Sequence, residues 1–232
     1  MRGVRTIGLL GGMSWESTAE YYRLANELVR ERLGGLHSAD CVIRSLDFAT
    51  VEQLQAAGEW EAAGRLLASE ARALEAAGAE LIVLCTNTMH TVADAIEAAV
   101  SVPFVHIAET TASAILSEGL TTVGLLATRF TMEQSFYIDR LAARGITAVV
   151  PNETDREIVH RIIYDELCLG IIREESRAEY RRIMAGLVDQ GVQGMIYGCT
   201  EIELLVTAAD TTVPVFPTTR LHVEAAVALS LI

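Results

Sequence analysis

Short apolar runs rich in leucine, isoleucine and valine alternate along the chain with alanine-rich stretches of helical periodicity. The runs Val4–Leu10, Cys41–Leu46, Leu81–Leu84, Phe104–Ile107, Val123–Ala127, Ala148–Val150, Met195–Tyr197 and Val213–Phe216 read as strands. Glu59–Ala77 and Ser176–Gln190 carry clear amphipathic helical patterns, and Ser14 is a suitable N-cap for a helix over Trp15–Val29. Strand and helix in strict alternation predict βαβ units, and therefore an α/β fold built on parallel sheets.

The pattern is written twice. Thr6-Ile7-Gly8-Leu9-Leu10 returns as Thr122-Val123-Gly124-Leu125-Leu126. Gly78, a strand and Cys85-Thr86 return as Gly191, a strand and Cys199-Thr200, and Val102-Pro103-Phe104 returns as Val213-Pro214-Val215. The offsets are 116, 113 and 111 residues, in the same order each time, which a tandem duplication explains and chance does not. Two similar lobes are expected, residues 1–117 and 118–232, with a turn near Glu118-Gly119 and the C-terminal helix able to pack back on the first lobe. A ligand is expected in the cleft between them, at the carboxyl ends of the strands.

Composition narrows the chemistry. With 232 residues, 51% of them hydrophobic, the chain can fill one large core or two small ones. A net charge of −13 argues against nucleic acid and anionic membrane surfaces as partners. All 18 basic residues are arginine, which removes Schiff-base chemistry with pyridoxal phosphate and the phosphate-loop lysine together. Cys41, Cys85, Cys168 and Cys199 are widely spaced with no CxxC pair, so a reducing cytoplasmic setting is expected instead of a disulfide framework or zinc site. The opening MRGVRTIGLLGGM is too short in apolar residues for a signal-peptide core.

Small polar residues gather where the strands end. In Gly11-Gly12-Met13-Ser14 two glycines let backbone approach a ligand closely, and free amides at such a turn suit a carboxylate. Cys85-Thr86-Asn87-Thr88-Met89-His90 follows one strand and Gly198-Cys199-Thr200-Glu201 another, while Ala127-Thr128-Arg129-Phe130-Thr131 follows a third, with Thr131 and Gln134 spaced for a capping box. Taken alone, a cysteine in such a place is more often an inert buried residue than a base. Equivalent positions in duplicated lobes change that, because groups on opposite sides of a pseudo-two-fold cleft suit inversion at a carbon. A thiolate, with its ordinary pKa lowered by helix N-termini, is a workable base there. Aligning the lobes on Gly78 and Gly191 sets Cys199 opposite Thr86, so Cys85 is expected to be a core thiol and a symmetric two-thiol site is not encoded. The five histidines show no ligand spacing, and His90 reads as a residue that orients a neighbour.

Together these motifs resemble the aspartate/glutamate racemase family over essentially the whole chain: Gly11-Gly12-Met13-Ser14-Trp15-Glu16-Ser17, Cys85–His90, Leu125-Leu126-Ala127-Thr128 and Gly198-Cys199-Thr200-Glu201. The resemblance implies flavodoxin-like lobes, an active site between them, no cofactor or metal, a small amino-acid substrate and a homodimer. Family members carry cysteine at both catalytic positions, matched here by Thr86 and Cys199, and threonine at the first resembles the subgroup specific for L-aspartate and L-glutamate. It implies that Cys199 takes the proton from the L-enantiomer, that Thr86 or a water it holds serves the other face, and that Met13, Ser14, Gln55, Asn87, Thr88, Thr128 and Thr200 contact substrate. Related aspartate racemases have a lysine near the stretch matching Asp155-Arg156-Glu157-Ile158, where this chain has none, and Arg156 or Arg161 is the nearest cation in sequence. Other readings are a decarboxylase, hydantoin racemase or maleate-type cis–trans isomerase using Cys199 alone, or a small-molecule binding protein without catalysis.

Overall fold

The structure is a computed structural model that describes residues 4–231; the outermost residues of the two expected lobes, 1–3 and 232, lie outside the described residues. Eight strands form among these residues, in two four-stranded sheets. The first holds β1 (Ile7–Gly11), β2 (Cys41–Ser45), β3 (Leu81–Leu84) and β4 (Phe104–Val105), in the order β2-β1-β3-β4. The second holds β5 (Thr122–Ala127), β6 (Thr147–Val149), β7 (Gly194–Gly198) and β8 (Val215–Pro217), in the order β6-β5-β7-β8. Every pairing is parallel. The chain divides into two compact units, one reaching Ile107 and resuming at His222, the other Ala108–Leu221.

In the first unit the sheet is buried on both faces, and alternation along the strands sorts its side chains. Ile7, Leu9, Leu81, Val83 and Cys85 pack against α1 (Trp15–Leu33) and the later part of α11 (Thr218–Ser230), with Leu24, Leu28, Val223 and Val227 among the contacts. Leu10, Ile82 and Leu84 face the other way, toward α2 (Phe48–Ala56) and α3 (Trp60–Ala76). The apolar residues of α3 recur at helical spacing, and Ala63, Leu67, Ala71 and Leu74 are buried as a stripe. Each fully buried leucine of this kind contributes about 2 kcal/mol of transfer free energy.

The second unit repeats the plan. Here α4 (Ala93–Glu97) lies behind in the first unit, and the chain continues through α5 (Ile107–Ser117), α6 (Arg129–Glu133), α7 (Ser135–Ala143), α8 (Glu153–Asp165), α9 (Glu174–Asp189) and α10 (Ile202–Leu205). β5 is buried from Val123 to Ala127, and α9 buries Tyr180, Ile183, Met184 and Leu187.

Differences from the sequence reading sit at element ends. α1 runs a turn beyond Val29, to Leu33, and ends at Gly34, whose N–H donates to the Arg30 carbonyl at 2.8 Å. β4 is only two residues, because Ile107 already opens α5. No capping box forms on Thr131 and Gln134: Thr128 caps α6, accepting from the Thr131 N–H at 3.5 Å, and Thr131 is buried inside that helix.

Candidate active site

Sheet register gives the equivalence of the two units directly. Leu84 lies beside Leu10 in the first sheet and Tyr197 beside Leu126 in the second. Leu10 and Leu126 are the repeat partners, so Leu84 answers to Tyr197, and two residues further on Thr86 answers to Cys199. Cys85, equivalent to Gly198, points into the core beneath α1, is fully buried, and donates its Sγ–H to the Val83 carbonyl at 3.7 Å. Burial pushes that thiol well above the usual cysteine range. Thr86, next along the chain, keeps part of its surface exposed.

At the carboxyl edge of the first sheet the glycine turn and the β3 end are tied together. Gly12 has φ +89°, and its N–H donates to Thr18 Oγ1 at 2.8 Å while the Thr18 hydroxyl donates to the Ser14 carbonyl at 2.9 Å. Ser14 caps α1, its hydroxyl accepting from the Ser17 N–H at 3.2 Å. The Ser17 hydroxyl donates to the Cys85 carbonyl at 3.3 Å, which joins the two segments. The Met13 side chain is buried with Val51 and Met89, leaving its backbone as its polar part. Gln55 is buried on α2 one turn after Val51, and Asn87 and Thr88 are buried beyond Thr86.

Three histidines brace this edge. His90 Nε2 accepts from the Ile107 N–H at 3.3 Å, so its Nδ1 carries the proton and donates to the Thr86 carbonyl at 2.8 Å. His222 is assigned the other tautomer: Nε2–H donates to the Val105 carbonyl at 2.6 Å, and Nδ1 accepts from the Tyr21 hydroxyl at 2.9 Å. Burial depresses its pKa to about 4, so the ring is neutral across the physiological range. The His106 ring stacks edge-on to His90 with centroids 4.6 Å apart. His90 thus holds the Thr86 backbone, as expected of a residue that orients a neighbour. Among the described residues no group of three His, Cys, Asp or Glu side chains is arranged to hold a metal ion.

At the carboxyl edge of the second sheet, Cys199 Sγ donates to Glu201 Oε2 at 2.8 Å. Here the structure corrects the expectation of a thiol acidified by a helix N-terminus. Burial first, and then the Glu201 carboxylate, push the Cys199 thiol well above the usual range. The following helix, α10, is only four residues long and is too short to offset them. The thiol is therefore held protonated, with a carboxylate in place to receive its proton. Thr200 Oγ1 shares a hydrogen bond with Thr219 Oγ1 at 2.8 Å, and the Thr218 hydroxyl donates to the Tyr197 carbonyl at 3.0 Å. Thr128 directly follows β5 and is buried. Arg156 is engaged by Glu133 at 3.1 Å and by the Pro151 carbonyl at 2.9 Å, and exposed Arg161 lies 3.7 Å from Glu166.

The second carboxyl edge thus collects Cys199, Thr200, Glu201, Thr218 and Thr219, and the first Ser14, Thr86, Asn87 and Thr88. Sequence reasoning missed the Glu201 contact and the Thr218-Thr219 pair. The strand-end position of Thr218-Thr219, one proline beyond the Val213–Phe216 run, was the available signal for the latter.

The family model for Asp/Glu/Hydantoin racemase matches residues 10–226. A proposed Asp/Glu racemase from Yersinia pestis is 56% identical, with 98% of this chain and 100% of that one covered at a TM-score of 0.94. An aspartate racemase homologue from Pyrococcus horikoshii is 35% identical, with 98% and 100% covered at 0.88. A protein of the pnlA 3′ region of Pectobacterium carotovorum is 32% identical over 101 residues, which is 44% of this chain and 66% of that relative. No helix among the described residues is long and apolar enough to cross a membrane. The chain belongs to the Asp/Glu/Hydantoin racemase family.

Proposed function

We propose that the protein is a cofactor-independent amino-acid racemase acting on L-aspartate and L-glutamate, with Cys199 as the base. The observation that carries the reading is the Cys199–Glu201 contact at 2.8 Å, taken with the partly exposed Thr86 at the equivalent strand end of the first unit. Glu201 takes the thiol proton, and the thiolate removes the Cα proton of the L-enantiomer. The resulting carbanion spreads its charge onto the α-carboxylate, where backbone amides of the Gly11–Ser14 turn and threonine hydroxyls such as Thr88 and Thr200 stabilise it. A proton returns to the opposite face from Thr86 or from a water that Thr86 holds. Because a threonine hydroxyl is a much weaker base than a thiolate, turnover from L exceeds turnover from D. Gln55, Asn87 and Thr128 complete the proposed substrate contacts, with Met13 acting through its backbone.

The test is incubation of separate L- and D-aspartate and glutamate with the protein in D₂O, followed by proton NMR and chiral chromatography. Loss of the α-proton signal with appearance of the other enantiomer, faster from L, is expected. No exchange with either amino acid overturns the reading. A single-thiol decarboxylase is the second reading, favoured by the burial of Cys85, and predicts carbon dioxide from a substituted malonate instead.

Glu201→Gln separates a proton acceptor from a structural neighbour. With the carboxylate present, the thiol has an acceptor for its proton within 2.8 Å as the thiolate forms. With glutamine, thiolate forms only by ionisation to solvent, so the rate at neutral pH falls about 100-fold and climbs as pH rises. A flat profile in the variant removes the proton-acceptor role.

A further inference from the structure

Helices α6 and α8 carry three arginines, and two of them are committed to protein carboxylates. Arg156 is held by Glu133 at 3.1 Å and Arg161 lies 3.7 Å from Glu166, so neither cation suggested by the sequence is unengaged. The third, Arg129, is exposed and forms no ion pair with any described residue. It opens α6 directly after Thr128.

Sheet register brings Arg129 to the reaction centre. Ala127 lies beside Gly198, so Thr128 and Cys199 leave adjacent parallel strands at the same level. Strands within a sheet run about 4.8 Å apart, and Arg129 and Thr200 come next on either side. His160, on α8, holds this segment. The Arg129 N–H donates to His160 Nδ1 at 3.3 Å, which leaves the ring proton on Nε2. The half-buried ring is tilted against Tyr164 with centroids 4.7 Å apart and stands edge-on to Phe130 at 6.3 Å. Its Nε2–H has no hydrogen-bond acceptor among the described residues. Burial first, and then the charge of Arg129, hold the His160 pKa below the ordinary histidine value, so the ring is neutral at physiological pH. One fixed positive charge and one neutral N–H donor therefore stand side by side.

The chain gives these groups something to do. At a net charge of −13 it offers an acidic ligand no long-range attraction, so a carboxylate must be captured by a local cation. A guanidinium without a protein partner answers that need and forms paired hydrogen bonds with a carboxylate. On its flexible stem it can meet a carboxylate separated from Cα by one methylene or by two.

We propose that Arg129 binds the side-chain carboxylate of the substrate, with His160 holding Arg129 in place and donating from Nε2 to the same group, and that this pair selects aspartate and glutamate over their amides. The inference rests on the racemase reading of this strand edge.

Calorimetric titration of the full chain with L-aspartate and with L-asparagine is the test, run beside α-proton exchange in D₂O. The wild type is expected to bind aspartate about 30-fold or more tighter than asparagine, and Arg129→Gln to bring the two affinities within about threefold of each other. Arg129→Lys keeps the charge without the paired geometry and recovers part of the preference. His160→Phe keeps the aromatic packing but removes both nitrogens, and lowers the preference about fivefold. In exchange kinetics Arg129→Gln raises KM for aspartate more than it lowers kcat. Circular dichroism melting reports whether each fold is kept. A wild type that does not prefer aspartate, or an Arg129→Gln variant that retains the preference, overturns the proposal; α-proton exchange in the latter case leaves the racemase reading standing. A preference that Arg129→Gln abolishes, in a wild type that exchanges no α-proton, supports the proposal and overturns the racemase reading alone.

Discussion

Cys199→Ala lowers α-proton exchange and racemisation of L-aspartate and L-glutamate by about 1,000-fold or more, while Cys85→Ala leaves exchange within a few-fold of the wild type. The two thiols have the same chemistry and opposite surroundings. Cys199 retains exposed surface and donates a hydrogen bond to Glu201 at 2.8 Å, whereas Cys85 is fully buried beneath α1 and donates to the Val83 carbonyl. An alanine at 199 removes the proposed base and leaves Glu201 without the thiol through which it acts. An alanine at 85 removes one core atom, and its cost of about 1–2 kcal/mol falls on stability instead. The measurement is deuterium incorporation at Cα by NMR, paired with thermal melts. Retention of a tenth or more of the exchange in Cys199→Ala would sink the assignment of Cys199 as the base.

Gly12→Ala is the substitution expected to cost the most stability, about 3–5 kcal/mol. Two effects act together. At φ +89° an L side chain is itself strained by about 1–2 kcal/mol. The added Cβ would also be driven into the Leu46 backbone, which cannot move aside because the Leu46 N–H donates to the Gly11 carbonyl at 3.0 Å. Gly34→Ala is the matched comparison, with φ +74° and nothing within 4 Å of the new Cβ, so it carries the conformational part only. Urea unfolding of the two variants should therefore differ by 2 kcal/mol or more. Equal losses would mean that the turn relaxes around the methyl group and that its close backbone approach is not a packing constraint.

Much of this molecule was legible before folding. The eight strands, the α/β class and the duplication follow from apolar runs and three colinear repeats, because parallel strands buried on both faces must be continuously apolar. The different fates of Cys85 and Thr86 were legible too, since neighbouring residues at a strand end point to opposite sides, and Cys85 is fully buried where Thr86 keeps exposed surface. The ends of elements were less legible. The length of α1 and the brevity of β4 depend on where a tertiary hydrogen bond or a packed helix start takes over from local preference. So did the capping of α6, where Thr128 and not Thr131 faces the free amides.

The state of Cys199 shows where sequence reading stops. That a cysteine stands at this strand end, with a glutamate two residues on, is a fact of the sequence, and so is its pairing with Thr86 through the repeat. Whether that thiol is acidified or held protonated is not, because the ionised form is governed by desolvation and by the position of one carboxylate in space. Both are set by how β7, α10 and the surrounding helices pack, and both push the thiol upward. The same holds for His90 and His222, whose opposite tautomers are chosen by the amide and the carbonyl that happen to face each ring. Periodicity and repetition, which act through near neighbours in the chain, determined the architecture. Proton positions depend on groups brought together from distant parts of the chain, and those only the tertiary structure decided.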